Sequence, residues 1–423
     1  MTRAVARLVL AAAQSWMAAA TAYLLVLLAA GARRQESEAP GAVAPGGELH
    51  IAVLVPAHDE EVVVSAAVEA LTAQRYPACR RDVVVIADNC TDATAAVAAA
   101  AGATVWERDD PALRGKGQAL AWALERLWTQ RPMVDAVAVV DADCIASPNL
   151  CAEIDRTLRG GARAMQACYV VSNPDASPTA ALRWAGFGLM HVVRPRGKRR
   201  LGLSCGLFGT GMALRADLLH DHPWTAFSVT EDAEYHLRLV ARGDPVVFAE
   251  RATVASSMPT TVAGARAQQL RWETGNVRLV RRSVGLLVQG VLARDAVRIG
   301  AALDRLVPPQ SVLLTCTALA GAGGLALRSR RIATCAALTA AGQAIYVVGG
   351  LATLSAPASV WLSLASAPRL VAAKLAQGGR IAVGRGARQW VRTARPATDT
   401  GPRERPTGAT GDSADDRSGA TSA

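Results

Sequence analysis

Two aspartates, Asp141 and Asp143, follow an apolar run in the segment VVDADC and are separated by a single alanine. Carboxylates spaced in this way at the end of a strand can hold a hard divalent cation, because such ions prefer oxygen ligands. The alternative is a solvated polar turn, since acidic pairs are common at strand edges. The other acidic segments of the chain bear on the choice between a metal site and a turn.

Two further acidic segments follow apolar runs that have the composition of buried strands. Residues 51–55 precede HDEE at 58–61, and residues 82–86 precede DNCTD at 88–92. Helical segments alternate with these runs, which predicts βαβ units and a parallel sheet. Ligands bind at the carboxyl ends of the strands in such sheets, so all three acidic segments are expected at one edge. Converging carboxylates repel one another unless a cation joins them, which favours the metal site.

The composition points to a membrane rather than to nucleic acid. Of the 423 residues, 51% are hydrophobic but only 4% are aromatic, and the net charge is +11. The basic residues form no patch interleaved with aromatic residues, so nucleic acid is not an expected partner. They cluster beside apolar segments, as is typical of proteins at an anionic membrane surface. The eight cysteines include no C-x-x-C motif, which indicates reduced thiols rather than a metal–thiolate site.

Three uncharged apolar segments are long enough to cross a bilayer. They are residues 8–32, 307–327 and 332–354. Arg33 and Arg34 follow the first segment, whose length favours a membrane anchor over a signal peptide. An amphipathic stretch at residues 360–375 is expected to lie on the membrane surface. The loop 328–331 carries three arginines, and its predicted outward position conflicts with the positive-inside rule.

These features divide the chain into an α/β domain and its membrane attachments. The predicted parts are a membrane anchor at 1–34, a linker rich in proline, glycine and alanine at 35–48, the α/β domain at 49–285, interfacial helices and two transmembrane helices at 286–378, and a basic, then disordered, tail at 379–423. The basic segments that flank the last two spans predict a multi-pass protein of the inner or plasma membrane. Its α/β domain is expected in the cytoplasm.

Six short motifs occur in a fixed order along the α/β domain. They are VPAHDEE (55–61), ADNCTDAT (87–94), RGKGQAL (114–120), VVDADC (139–144), VTEDAEY (229–235) and QQLRW (268–272). Their order resembles that of the membrane-bound family 2 glycosyltransferases, which include cellulose, hyaluronan and chitooligosaccharide synthases. The resemblance covers roughly residues 50–280. It implies the GT-A fold, a Rossmann-like mixed sheet, with transmembrane helices at both ends.

The resemblance also implies which residues bind a nucleotide-sugar donor. They are Ala57, Glu60, Asp88, Lys116, Asp141 and Arg271. In the family the first aspartate of the D-x-D pair lies near the nucleotide sugar, and the second binds Mg²⁺ or Mn²⁺ directly. Asp141 and Asp143 are accordingly the expected metal ligands. The family arginine lies near the diphosphate, whose charge a guanidinium neutralises. A flexible basic loop is the alternative for Lys116.

Asp232 corresponds to the aspartate that serves the family as general base. A single base without a carboxylate nucleophile implies in-line displacement and inversion at the anomeric carbon. The resemblance places the acceptor beside Gly209, Gly211, Glu231, Gln268 and Trp272. Two of these assignments have a simpler alternative. Glu231 fits a capping box that begins at Ser228, and the glycines fit a bare turn.

The motifs together predict an enzyme that moves a sugar from a nucleotide sugar, a UDP-sugar by preference, to a lipid or glycan acceptor. Processive exopolysaccharide synthesis is the second possibility, although three spans are few for a secretion channel and imply a partner subunit, an oligomer or a product that is not secreted. A nucleotide-binding pseudoenzyme and a nucleotidyltransferase are rivals from other classes. The first would not need the intact acidic motifs, and the second has no use for Q-x-x-R-W. The first acidic loop departs from the family, because Asp59 replaces its usual asparagine.

Overall fold

The computed structural model describes residues 3–32, 47–258 and 262–366. Between residues 262 and 278 it describes the helical backbone. The surroundings of a residue are described there only for Gly275. The predicted linker, most of the predicted surface helix at 360–375 and the tail at 379–423 lie wholly or largely outside the described residues.

In the part of the chain that the structure describes, eight strands form one mixed sheet in the order β3-β2-β1-β4-β7-β6-β8-β5. They are β1 (Ile51–Ala57), β2 (Arg81–Asp88), β3 (Thr104–Arg108), β4 (Ala136–Val139), β5 (Cys144–Ala146), β6 (Ala164–Val171), β7 (Met212–Arg215) and β8 (Val246–Ser256). Strands β1 to β4 are parallel to one another, whereas β7 is antiparallel to both β4 and β6. The predicted α/β fold with a Rossmann-like mixed sheet is confirmed.

Strands β2, β1 and β4 are neighbours in the sheet and run in the same direction. The three acidic segments that follow them therefore lie at one edge, as the sequence predicts. Strand β1 is longer than its predicted extent, because it continues through Pro56 to Ala57. Pro56 is tolerated there because its fixed φ suits an extended strand and because it lies beyond Leu54, where the pairing of β1 with β4 ends.

Helices cover both faces of the sheet. Those before the membrane region are α2 (Val64–Thr72), α3 (Thr94–Ala100), α4 (Lys116–Gln130), α5 (Leu150–Arg159), α6 (Pro178–Gly188), α7 (Arg194–Arg200), α8 (Ala216–Asp221), α9 (Glu231–Arg242) and α10 (Val262–Ala293). Helices α2, α3 and α5 pack on one face, and α4, α8 and α9 pack on the other. The side chains alternate along β1, so that Leu54 joins one core and Val53 joins the other.

Helix α10 joins the α/β domain to the apolar helices that follow it without a break. The predicted domain boundary between residues 285 and 286 falls inside this helix. Its second half and α11 (Ala296–Leu306) pack against the outer face of α9, where Leu279 and Leu286 meet Ala233 and Leu237. The helix that begins with Glu231-Asp232 is therefore buried between the sheet and helices α10 and α11.

Within the described residues, two helices are long and apolar enough to cross a membrane, α1 (Arg3–Ala32) and α13 (Arg330–Thr353). They correspond to the predicted spans 8–32 and 332–354. The predicted span 307–327 is divided differently, because α12 begins only at Gln310 and ends at Ala326. Helices α11 and α12 together qualify as a third span that is bent by 73°. A short helix, α14 (Ala358–Ser363), follows α13.

Hydrogen bonds between side chains hold α1, α12 and α13 together. The Gln343 amide donates to the Thr317 hydroxyl at 2.9 Å and to the Thr21 hydroxyl at 3.2 Å, and Gln14 donates to Thr339 at 2.8 Å. Polar side chains of this type bind transmembrane helices to one another. Helix α12 thus belongs to the same apolar three-helix unit as the two long helices.

Candidate active site

The aspartates of the D-x-D segment lie on the tight turn between β4 and β5. The Asp141 carbonyl accepts a hydrogen bond from the Cys144 amide at 3.0 Å, and the Asp141 amide donates to the Thr210 hydroxyl at 3.0 Å. These backbone bonds fix both ends of the turn. Ligand atoms of Asp141, Asp143 and Cys144 all lie within 4.8 Å of one another. A divalent cation could therefore be reached by both carboxylates.

The chemistry of this group fits a hard cation held by oxygen. Burial raises the pKa of the Cys144 thiol well above its ordinary value, and the two aspartates raise it further. The thiol is therefore neutral, and it donates a hydrogen bond to Asp143 Oδ1 at 3.4 Å. A neutral thiol is a poor metal ligand, which leaves the two carboxylates as the donor set. Mg²⁺ and Mn²⁺ both suit such ligands.

Lys116, the first residue of α4, joins the D-x-D turn to the rest of the site. Its ammonium donates to Asp141 Oδ1 and to the Gly209 carbonyl, the latter at 2.6 Å, and lies 3.9 Å from Glu231 Oε1. Burial alone lowers the pKa of Lys116, but the neighbouring carboxylates of Asp141, Glu231 and Asp232 raise it by more. The group is therefore a fixed positive charge. Its position is specific, which does not agree with the alternative of a flexible basic loop.

Glu231 and Asp232 form the first turn of α9. The capping-box alternative for Glu231 is wrong, because the helix begins at Glu231 itself and its N-cap is Thr230, whose side chain makes no capping hydrogen bond. Glu231 instead lies beside Lys116. Burial raises the pKa of Glu231 to about 7 and raises the pKa of Asp232 as well. Asp232 accepts a hydrogen bond from the Ala233 amide at 2.7 Å through Oδ1.

Gly209 and Gly211 both need to be glycine. Their φ angles are +79° and +65°, in the left-handed region that other residues adopt at a cost. A methyl group on Gly209 would lie 3.3 Å from the Lys116 ammonium and 3.5 Å from Asp232 Oδ2. A methyl group on Gly211 would lie 2.9 Å from Val254 on β8. The backbone of this loop thus lies close to the charged groups of Lys116 and Asp232. The interpretation as a bare turn does not explain this proximity.

A buried glutamine that no sequence motif indicates supports the segment from Phe208 to Gly211, which we call the glycine loop. Gln166 on β6 is fully buried, donates to the Thr210 carbonyl at 2.8 Å and accepts from the Phe208 amide at 2.9 Å. These two hydrogen bonds hold the segment between Phe208 and Gly211 against the sheet edge. A single glutamine within an apolar strand carries no sequence signal of this role.

The first two acidic loops are hydrogen-bonded to each other. Asp59 accepts from the Thr91 amide at 2.6 Å, and the Glu60 amide donates to the Thr94 hydroxyl at 2.7 Å. Asp92 accepts from the Thr94 amide at 2.9 Å, two residues before α3 begins at Thr94. The aspartate that replaces the family asparagine thus holds the loop after β2. Ala57 ends β1 directly below and is buried.

Asp88 at the end of β2 is buried and paired with an arginine. Arg108 on β3 donates to Asp88 Oδ1 at 2.6 Å, and the Asn89 amide donates to the same oxygen at 2.9 Å. Burial raises the pKa of Asp88, although Arg108 opposes the shift. The pairing of Arg108 with Asp88 could not be predicted from the sequence, because β3 belongs to none of the six motifs.

Gln268, Arg271 and Trp272 lie on the backbone of α10, and their side chains are outside the description. The contact that fixes this part of α10 lies about one turn further along the helix, at Gly275. A methyl group added to Gly275 would lie 2.7 Å from Thr230 Oγ1 and still closer to its Cγ2. Glu234 accepts from Arg282 at 2.7 Å. The helix that carries Q-x-x-R-W therefore rests directly on the residue before Glu231.

We expect Gly275→Ala to lower kcat/KM about ten- to a hundredfold, because the added methyl displaces α10 from Thr230 and shifts of about 1 Å have effects of this size. Nucleoside diphosphate affinity should fall as well, because α10 also carries Arg271, the residue proposed to lie near the diphosphate. The matched control is Gly285→Ala on the same helix, where a methyl would meet no atom within 4 Å. Adding Thr230→Ala to Gly275→Ala should restore part of the activity. Equal losses in the two glycine variants would contradict the contact.

Aromatic rings connect the loop of Gly209 and Gly211 with the apolar three-helix unit. The His191 ring lies 4.5 Å from the Phe208 ring and 3.9 Å from the Phe187 ring, measured between centroids. His191 belongs to a π-helical turn, Leu189–Val193, between α6 and α7. Leu189 from this turn packs among Leu24 and other residues of the apolar helices. One layer of side chains thus separates the glycine loop from the apolar unit.

The buried His191 makes stability depend on pH. Burial lowers the pKa of His191 to about 3, so the folded protein keeps the ring neutral at pH 5. The unfolded chain, with a pKa near 6.5, gains a proton as the pH falls, and about 2 kcal/mol of stability is lost between pH 7 and pH 5. We expect His191→Phe to reduce the fall in melting temperature over this range. The exposed His220→Phe is the control, and an equal fall in wild type and His191→Phe would refute the prediction.

The described sheet has the GT-A architecture. The D-x-D turn meets the T-E-D segment, Thr230 to Asp232 at the start of α9, at one edge of the sheet. The family described as "Glycosyltransferase like family 2" matches residues 47–275. The chain belongs to this family and is a glycosyltransferase. Its membership confirms the resemblance seen in the six motifs.

The solved structures to which this chain is similar include two with a bound nucleotide or nucleotide sugar. The mannosyltransferase PcManGT from Pyrobaculum calidifontis, in complex with GDP-Man and Mn²⁺, is 17% identical and has a TM-score of 0.54, over 83% of this chain and 98% of its own. Glucosyl-3-phosphoglycerate synthase from Mycobacterium tuberculosis, with Mg²⁺ and uridine diphosphate, is 21% identical with a TM-score of 0.38, over 55% of this chain and 79% of its own. No curated protein matches in sequence.

Proposed function

We propose that the chain is a membrane-bound inverting glycosyltransferase that moves a sugar from a nucleotide sugar, a UDP-sugar by preference, to a lipid or glycan acceptor. The observation that carries this proposal is the position of Lys116. Its ammonium contacts Asp141 of the D-x-D turn and the carbonyl of Gly209, and it lies beside the T-E-D acids. Residues expected to bind the donor and residues expected to act on the acceptor thus form one continuous site.

The donor half consists of the strand ends β1, β2 and β4. Asp141 and Asp143 would hold Mg²⁺ or Mn²⁺, which supplies positive charge for the leaving diphosphate. Lys116 and Arg271 add positive charge of their own, and this stabilises the diphosphate as its bond to the sugar breaks. The nucleoside half of the pocket is assigned to Ala57, Glu60 and Asp88. Asp88 has Oδ1 bound to Arg108, which orients the carboxylate.

Asp232 is the proposed general base. It takes the proton of the acceptor hydroxyl as that oxygen forms its bond to the anomeric carbon and the bond from that carbon to the diphosphate breaks. Burial raises the pKa of Asp232, which makes the carboxylate a stronger base than an exposed aspartate. Because the acceptor oxygen enters opposite to the leaving diphosphate, the anomeric configuration inverts. Glycine at position 209 leaves room beside Asp232 Oδ2 for the acceptor.

The acceptor is proposed to reach the site from the membrane. Gly209 and Gly211 are part of the loop that contacts His191 through Phe208, and His191 is two residues from Leu189 in the membrane cluster. Glu231, Gln268 and Trp272 complete the acceptor side. A flat indole ring suits the apolar face of a sugar. This proximity favours a membrane lipid, or a glycan carried on one, over a free soluble acceptor.

The protein is proposed to lie in the cytoplasmic membrane, with the α/β domain on the side where nucleotide sugars are made. The two or three spans support transfer of one or a few sugars over processive synthesis, because a channel for a polymer requires more helices. A partner subunit for export belongs only to the second possibility. Long polymer formed by the purified chain would favour processive synthesis.

The test is a panel of radiolabelled nucleotide sugars, including UDP-glucose, UDP-N-acetylglucosamine and GDP-mannose, incubated with membranes that contain the protein and Mg²⁺ or Mn²⁺. Release of nucleoside diphosphate and transfer of label to a lipid extract are measured together. We expect one donor to dominate and the signal to vanish with EDTA. Membranes with Asp232→Asn serve as the blank. Absence of transfer from every donor, in membranes rich in folded protein, would refute the proposal.

A further inference from the structure

All the charged residues of the three-helix membrane unit are arginines at one end of it. Residues 3–32 and 310–366 contain no aspartate, glutamate or lysine, and their arginines are Arg3, Arg7, Arg328, Arg330 and Arg331. The first two lie on the first two turns of α1. The other three lie in the α12–α13 connection or at the start of α13. All five are exposed.

The two groups of arginines meet in space although about 320 residues separate them. The Arg7 guanidinium donates a hydrogen bond to the Leu327 carbonyl at 2.6 Å, immediately before Arg328. One turn deeper, a methyl on Gly323 would lie 2.8 Å from Leu10. The amino end of α1 therefore packs against the α12–α13 connection. We call Arg3, Arg7, Arg328, Arg330 and Arg331 the arginine cluster.

The cluster lies at the end of the unit that is farthest from the catalytic domain. At the opposite end, a methyl on Gly350 of α13 would collide with Leu189, and one on Gly188 would lie 2.6 Å from Leu354. Helix α1 likewise meets the catalytic domain near its carboxyl end, where the Leu27 carbonyl abuts Gly197 of α7. The T-E-D and D-x-D acids belong to the other side of the molecule and do not neutralise the arginines.

The arginines are presented on a short, defined connection. Only three residues, Leu327 to Ser329, separate α12 from α13. The Arg328 amide donates to the Leu325 carbonyl at 3.0 Å and the Ser329 amide to the Gly324 carbonyl at 2.8 Å, while Arg328 has a φ of +52°. This hydrogen-bonded turn fixes the backbone of Arg328 between two helix ends. The backbone that carries Arg328 is thus ordered before any ligand arrives.

We propose that the arginine cluster binds the phosphate headgroups of anionic phospholipids, in the leaflet opposite to the catalytic domain. Guanidinium groups pair with phosphate through two parallel hydrogen bonds, which suits a rim of several exposed arginines. Each arginine near a charged membrane surface adds to the attraction. Bound anionic lipid also explains why arginines occupy a loop that the positive-inside rule assigns to the other side. The proposal rests on the proposed insertion of α1, α12 and α13 into a membrane.

The test measures lipid binding to the full chain, purified in a mild detergent, by native mass spectrometry with phosphatidylglycerol and phosphatidylcholine in equal amounts. Wild type should retain phosphatidylglycerol in preference. The variant Arg328→Gln/Arg330→Gln/Arg331→Gln should bind it roughly a hundredfold more weakly, as expected for the loss of three charges. The matched control, Arg75→Gln/Arg80→Gln/Arg215→Gln, removes three charges from the catalytic domain and should bind like wild type.

The proposal is overturned if wild type does not distinguish the two lipids, if the cluster variant binds like wild type, or if the control loses as much affinity. Inorganic phosphate at millimolar concentration is added in a parallel arm, and complete displacement of the lipid would show a simple anion site instead. Should the triple variant misfold, Arg3→Gln/Arg331→Gln tests the same cluster from both groups. Carbonate extraction of wild-type membranes and nucleoside diphosphate release are measured separately, so that failure of membrane insertion or of catalysis is recognised as such.

Discussion

Replacing Asp232 with asparagine should lower kcat for sugar transfer about a hundred- to ten-thousandfold, the usual contribution of a general base. The amide keeps the shape of the side chain and the position beside Gly209 and Lys116, but it cannot accept the proton of the acceptor hydroxyl. Binding of the nucleoside diphosphate with Mn²⁺, measured by titration calorimetry, should change less than threefold, since the donor half does not use Asp232. The loss should therefore appear in kcat and not in donor affinity.

The control for this variant is Asp217→Asn. Asp217 is an exposed aspartate on α8 that pairs with Arg215, and its conversion to asparagine should leave kcat unchanged. Both variants should share the melting temperature of wild type to within a few degrees. If Asp232→Asn retained more than half of the wild-type kcat, another group would have to serve as base. Glu231, whose pKa burial raises to about 7, would be the first to examine.

The second large effect is expected at the D-x-D turn. Asp143→Asn should raise the Mn²⁺ concentration for half-maximal activity at least about tenfold, because even outer-shell changes reach this size. Asp141→Asn should be more damaging, since it removes a proposed ligand and also the partner of the Lys116 ammonium. A metal titration of activity, after removal of metal with EDTA, distinguishes the two variants.

A second group of acids provides the control for metal binding. Ligand atoms of Asp59, Cys90 and Asp92 also lie within 4.8 Å of one another. Asp59 accepts hydrogen bonds from Thr91, and Asp92 accepts one from the Thr94 amide, so these carboxylates already serve the fold. Asp92→Asn should therefore leave the Mn²⁺ dependence as in wild type. A shift in that dependence as large as that of Asp143→Asn would assign the metal to the loop of Asp59 and Asp92, and it would contradict the assignment to Asp141 and Asp143.

The edge at which the site forms could be predicted because the signals for it are local. Apolar runs before HDEE, DNCTD and DADC predict strands, and the carboxyl ends of parallel strands meet at one edge. The capping-box interpretation also implied a helix near Glu231, but it did not predict the first residue of that helix correctly. Sequence spacing made Glu231 part of a capping box that begins at Ser228, whereas in the structure α9 begins at Glu231, whose carboxylate lies 3.9 Å from the Lys116 ammonium.

The partners that hold the site in place could not be predicted. Gln166 and Phe208 are 42 residues apart, and Asp88 and Arg108 are 20 apart. Whether such positions meet depends on the order of strands in the sheet, and β6 and β7 depart from the simple alternation of strands and helices. The contact of Gly275 with Thr230 has a similar origin, since it depends on how α10 crosses α9. Propensity and motif order carry no information about such crossings.

The most direct measurement of the central claim, that one buried carboxylate acts as base in an in-line displacement, is the anomeric configuration of the product. Wild-type protein is incubated with an α-linked nucleotide sugar and acceptor, and the first product is analysed by proton NMR before any isomerisation. The account predicts a β-linked sugar, formed only when Asp232 is intact. An α-linked product would show retention of configuration, and it would contradict the assignment of Asp232 as the single base.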